Sequence, residues 1–227
     1  DMRRTIKKII IALIVISLGL VLVIQWLSKP LPESFTGPEA DQFARDVQKA
    51  LNIQGYETTS KLQFSFRDHH YLWNKAEERV LVSWEDYQVD LILSEIENSK
   101  ILQGGKESNR ADLIEKAKAY FFNDSYWLVA PFKFFDPGVV RSLVETDNGS
   151  KALLITHTSG GVTPGDSYLW YFDEKLVPTH FELWVSIIPI KGISATWSSW
   201  VSKQDVLFST VHQLGPLEIT IDNLEAY

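Results

Sequence analysis

The polar and apolar positions of this chain change rhythm along its length. Residues 9–24 read IIIALIVISLGLVLVI, sixteen positions without a charge and interrupted only by Ser17 and Gly19. Gln25, Trp26 and Leu27 extend the run to nineteen. At about 1.5 Å per helical residue, such a run spans about 28 Å, close to the hydrocarbon thickness of a bilayer. Residues 28–38 then break the pattern with Pro30, Pro32, Gly37 and Pro38, which predicts a short, stiff spacer. Over 41–51, Phe43, Val47, Ala50 and Leu51 recur at helical spacing, and Asn52 and Gly55 mark the end of that helix.

From residue 62 the period becomes two. Leu62, Phe64 and Phe66 alternate with polar neighbours, as do Val80, Val82 and Trp84, and then Tyr87, Val89, Leu91 and Leu93. Three such runs joined by polar turns predict an antiparallel meander with one apolar face. A second helix is predicted over 109–122, with Leu113, Ala117, Tyr120 and Phe121 on one side and Asn109 as its N-cap. Strand patterns follow at 126–130, 151–158, 167–173, 179–186, 193–201 and 218–222. Turn signals at 136–138, 147–149, 160–161, 164–166 and 173–175 separate them. The order predicts an α+β domain of nine or ten strands, one large curved antiparallel sheet with about two helices on its concave face.

Charge orients the apolar run. Arg3, Arg4, Lys7 and Lys8 precede it, so the positive-inside rule predicts a cytoplasmic N-terminus and an exported C-terminal domain. The run exceeds the usual signal-peptide core, and no small-x-small site follows it, so retention is expected. The predicted organisation is a basic tail at 1–8, a transmembrane signal-anchor at 9–27, a linker at 28–38 and an extracytoplasmic domain at 39–227. In a bacterium this is a single-pass inner-membrane protein with a periplasmic domain. The whole chain carries −7; residues 1–32 hold five basic residues and one acidic, which leaves 17 basic and 28 acidic, a net −11, for the rest. That balance argues against nucleic acid or anionic lipid headgroups as electrostatic partners.

Little chemistry announces itself. The chain has no Cys, which removes disulfides, thiol catalysis and lipid attachment through cysteine. The Asp68-His69-His70 triplet and the scattered His157, His180 and His212 read as turn and surface residues rather than a converging metal set. There is no Gly-x-Ser-x-Gly elbow, and Ser159-Gly160-Gly161 lacks the strand-to-helix setting of a phosphate loop. No cofactor is expected, and no enzymatic activity. Asn123 and Asn148 head sequons that matter only in a eukaryote. The composition stands out in its aromatics, with eight Trp, eight Tyr and twelve Phe. Tyr168, Trp170 and Phe172 share one strand face, and Leu169 and Tyr171 share the other, so both faces of that strand are covered. Either these rings fill a core, or they line an apolar cavity between sheet and helices. The cavity reading places Phe64, Phe66, Trp84, Tyr87, Leu91, Trp127, Tyr168 and Trp170 on its wall.

A resemblance sharpens the second reading. The segment 126–136, YWLVAPFKFFD, is followed by Pro137-Gly138-Val139. Further on come GVTPGDSYLWYFD at 161–173 and Thr196-Trp197-Ser198-Ser199-Trp200. Over about residues 38–205 this pattern resembles an uncharacterised bacterial group, of the Bacteroidota type, related to the Lol outer-membrane lipoprotein carriers and receptors. The resemblance implies a Lol-like incomplete barrel with helices as a lid over an acyl-chain cavity. It also implies a lipid, or the acyl chains of a lipoprotein, as ligand. Lol carriers are soluble and Lol receptors are lipid-anchored, so a helix-anchored relative is expected to bind without shuttling. The competing expectation is an interaction module with a filled core that binds another envelope protein.

Overall fold

A computed structural model describes residues 2–106, 110–146, 149–159 and 165–227. It opens with a helix α1, Met2–Leu27, with no buried residue, long and apolar enough to cross a membrane. Among the described residues, the rest builds one antiparallel sheet of fourteen strands that does not close on itself, with three further α-helices. The strands are β1 (Phe35–Thr36), β2 (Lys61–Phe66), β3 (His69–Asn74), β4 (Arg79–Trp84), β5 (Tyr87–Ile92), β6 (Lys100–Gln103), β7 (Val139–Glu145) and β8 (Lys151–His157). They continue with β9 (Ser167–Phe172), β10 (Pro178–Trp184), β11 (Ile193–Thr196), β12 (Ser198–Lys203), β13 (Val206–Leu214) and β14 (Leu217–Ala226). Their order across the sheet is β1-β7-β8-β9-β10-β11-β13-β14-β2-β3-β4-β5-β6, with β12 beside β13.

The alternating patterns predicted for β2, β4 and β5 point inward as read: Leu62, Phe64, Phe66, Val80, Val82, Trp84, Val89 and Leu91 are all buried. The meander holds one strand more than its clearest alternation shows. HHYLWN forms β3, which places Tyr71 opposite Phe64 and Trp73 opposite Leu62. Those two aromatics face inward, and the exposed Leu72 between them masks the alternation. β13 fills what had no assignment between 202 and 217, and the predicted strand 193–201 divides at the buried Trp197 into β11 and β12.

The helices depart from expectation at two places. α2 (Pro38–Ala50) starts on a proline, whose missing N–H costs nothing in a first turn, and buries Ala40, Ala44 and Val47. Asn52 does not release the chain into coil. It sits at φ 62° and its side chain accepts the Gly55 N–H at 3.1 Å, capping a short helix α3 (Ile53–Thr58). The second departure is larger. Residues 126–130, predicted as a strand, are mostly the last turn of α4 (Arg110–Val129). The buried stripe Leu113, Ala117, Phe121, Leu128 keeps helical spacing, but Asp124 and Ser125 occupy its middle. Polar residues at buried positions look like a turn in a hydropathy pattern. Pro131 then ends the helix. The expected N-cap, Asn109, lies outside the described residues, as do the turn residues 147–148 and 160–164.

Residues 28–38 are no free spacer. They run across the outer face of β9 and β10, and Phe35 and Thr36 pair with Leu143 and Ser142 as the edge strand β1. This explains why β9 is apolar on both sides. Trp170 enters the main core, while Leu169 joins Val144, Ala152 and Leu154 in a second cluster on the outer face.

Candidate functional site

A cleft of about 680 Å³ lies between α4 and the inner faces of β8 to β10. That volume falls within the range of small-molecule sites. Phe181, Leu183 and Val185 form its floor because one parity of β10, continued past its last residue, faces inward. Tyr126 and Trp127 reach it from the last turns of α4, and Tyr168 from β9. The rings interlock: Tyr168 meets Phe181 edge-on at 5.2 Å, Trp127 lies 5.6 Å from Phe181, and Tyr126 lies 4.9 Å from Tyr168. The tip of the β10–β11 loop, Ile187 and Ile188, completes the mouth.

One end of the cleft is polar. The Tyr126 hydroxyl and His157 Nε2 are 3.3 Å apart, and Lys133 pairs with Asp136 at 2.8 Å. Asp166 accepts the Ser186 N–H at 2.9 Å, tying the β10–β11 loop to the start of β9. Burial raises the Tyr126 and Tyr168 hydroxyls well above the ordinary phenol range and lowers the His157 imidazole. All three are therefore uncharged at neutral pH. The lining offers neutral hydrogen-bonding groups, one self-compensated ion pair and Asp166, with an apolar remainder. That is a surface for an amphipathic or apolar molecule.

The residues expected to line a cavity divide between two places. Trp127 and Tyr168 stand on the cleft wall. Phe64, Phe66, Trp84, Leu91 and Trp170 are buried in the packed core, and Tyr87 is half-buried against Trp84, with ring centroids 5.3 Å apart. The β2–β5 half of the sheet is thus filled by its own side chains and α4. Sequence reasoning identified the strand that carries Phe181, Leu183 and Val185 but did not select them. Their alternation was the available signal.

A buried polar cluster crosses from α4 to β3. Asp124, 2% exposed, accepts the Tyr71 hydroxyl at 2.5 Å and bonds His69 Nδ1 at 2.7 Å; Asn123 donates to its other oxygen at 2.9 Å. His69 also stacks on Tyr120 with centroids 3.9 Å apart. Its neighbour His70 faces the other side and bonds Ser65 Oγ at 2.9 Å. His69 is therefore no plain turn histidine. It locks α4 to the meander. Among the described residues, no group of three or more His, Asp or Glu is placed to hold a metal ion.

The residues that follow α1 meet the domain beside the cleft. Ser28 Oγ accepts the Lys191 N–H at 3.1 Å, Lys29 N donates to the Lys191 carbonyl at 2.9 Å, and the Trp184 indole donates to the Lys29 carbonyl at 2.9 Å. Lys29 also pairs with Glu182. No protein-family model, curated protein or solved structure matches this chain.

Proposed function

We propose that this is a membrane-anchored binding protein whose cleft takes a lipid or the acyl chains of a lipoprotein. The observation that carries the reading is the 680 Å³ cleft itself, walled by Trp127, Tyr168, Phe181, Leu183, Val185 and Ile188. Each methylene moved from water into such a wall gains about 0.8 kcal/mol. Eight methylenes then contribute about 6 kcal/mol, enough to offset much of the cost of association. The open antiparallel sheet with helices on it is compatible with a Lol-like half-barrel, and α1 with a signal-anchor in a bacterial inner membrane, N-terminus inside. The domain acts by binding and not by catalysis. A second reading, an envelope interaction module, draws support from the β2–β5 half, where Phe64, Trp84 and Leu91 are packed into the core.

The test is equilibrium binding of a fluorescent fatty alcohol to the full chain in a non-ionic detergent. The site reading expects saturable binding that changes little between low and high salt, because burial and not charge drives it. Ile188→Asp, at the half-buried mouth, should weaken it at least tenfold by placing a carboxylate against the chain. Binding indifferent to Ile188→Asp would sink the cleft reading and favour the interaction module.

A further inference from the structure

We propose that the β10–β11 loop is a membrane-docking element that holds the mouth of the cleft against the bilayer. This rests on the reading of α1 as a membrane anchor and of the cleft as a lipid site, and it adds where and how the lipid enters. The loop reads Val185-Ser186-Ile187-Ile188-Pro189-Ile190, with no charge. Ile187 is 74% exposed, more than any other large apolar side chain described beyond α1, and it stands in an uncharged stretch with Ile188 and Ile190. The first charged side chain, Lys191, is folded back: its Nζ donates to the Val185 and Ile188 carbonyls, the latter at 2.8 Å. The ammonium therefore satisfies the loop's own backbone and stiffens an apolar tip.

What covers the tip follows from the anchor. α1 ends at Leu27, and the next two residues are bonded to the base of this same loop through Ser28 to Lys191 and Lys29 to Lys191. Only three residues separate Ile187 from Lys191, so the tip lies within about 15 Å of Lys191, which is itself bonded to Ser28 and Lys29 just past the helix exit. Trp26, 83% exposed at the end of α1, belongs at the headgroup level, where indoles concentrate. A loop whose base is bonded to Ser28 and Lys29, just past that level, has the bilayer interface as its nearest apolar phase. On its inner side the same loop lines the cleft. A lipid leaving the outer leaflet then passes from the acyl region to the cleft floor without crossing water. The net −11 of the domain argues against headgroup attraction as the cause, so the contact proposed is apolar insertion on neutral lipid.

The absence of native cysteine makes the test direct. A nitroxide is attached at Ile187→Cys, and separately at Glu174→Cys, in the full chain reconstituted into phosphatidylcholine nanodiscs. Glu174 lies in the turn at the opposite end of β9 and β10, about 20 Å away along the strands. Power saturation with oxygen and with a polar nickel complex reads depth. The proposal expects position 187 to be several-fold more accessible to oxygen than to nickel, and position 174 the reverse. A nitroxide at 187 open to nickel, in a chain that stays with the nanodisc, overturns docking and leaves the anchor and cleft readings standing. A nitroxide at 187 shielded from both reagents is buried in the protein and also overturns it. A chain that leaves the nanodisc overturns the anchor reading and docking with it, while fatty-alcohol binding in detergent still judges the cleft.

Discussion

Acid should unfold this domain through a single buried imidazole more than its surface charges would imply. His212 is fully buried, packed between Trp197 at 4.4 Å and Trp127 at 5.2 Å. Its Nδ1 donates to the Thr196 carbonyl at 3.1 Å, which fixes the neutral tautomer. Burial pushes its pKa down from 6.5 to about 4, against backbone contacts at Thr196 and Trp127 that act the other way. Above pH 6.5 both folded and unfolded chains carry it neutral, and it adds no pH dependence. Below 6.5 the unfolded chain takes up the proton and the folded chain does not, so stability falls until the folded pKa is passed. With these two values the loss reaches about 2.5 kcal/mol at pH 4.5. For a domain of this size that is a drop of about 5–10 °C in melting temperature. Other groups titrate in the same window, so the comparison is with His212→Asn, whose side-chain amide can keep the bond to Thr196. Tryptophan-detected melts of both chains at pH 7.5 and 4.5 give the result. Whatever gap separates them at pH 7.5 should shrink by about 2.5 kcal/mol at pH 4.5. Parallel losses in the two chains would refute the reasoning.

Further perturbations test other parts of the account. Asp124→Ala strips the buried Tyr71 hydroxyl of its acceptor and should cost about 3–5 kcal/mol in urea denaturation, with Asp124→Asn costing less. Gly138, in the turn before β7, has φ +80°, and a Cβ there would meet the Ser159 backbone oxygen at 2.8 Å. Gly138→Ala should therefore lower stability by about 1–3 kcal/mol in the same assay, where an unchanged midpoint would discredit the local geometry. Trp84→Asp and Trp170→Asp place a carboxylate in the packed core and should abolish the cooperative melt, whereas Ile188→Asp should melt as the parent does and lose only ligand.

How far the sequence could be read depended on which signal carried each element. Strands with one buried face were legible, because Phe64, Val82 and Leu91 each sit on a clean alternation. β3 was harder to see because the exposed Leu72 sits between Tyr71 and Trp73. The end of α4 was hidden by Asp124 and Ser125, both buried; the burial of Asp124 is compensated by Tyr71 and His69 on a strand some fifty residues earlier. No local pattern encodes a hydrogen bond of that range. Similarly, the double apolar face of β9 was plain at Trp170 and Leu169, but its cause, residues 29–36 laid on the outer face, is a tertiary event. The cleft shared this fate. Trp127 and Tyr168 were singled out from aromatic crowding, while Phe181, Leu183 and Val185 looked like ordinary core alternates until α4 left space above them.

The central claim is that the cleft, and not the anchor, holds the acyl chain. Its most direct measurement is photo-crosslinking of the full chain in phosphatidylcholine nanodiscs with a phospholipid that carries a diazirine on one acyl chain, followed by peptide mapping. Any anchored protein will label along 9–27. The account predicts a second, saturable set of adducts on 119–127, 168 and 181–188 that unlabelled lipid competes away. Adducts confined to 9–27, with none on the cleft wall, would contradict it.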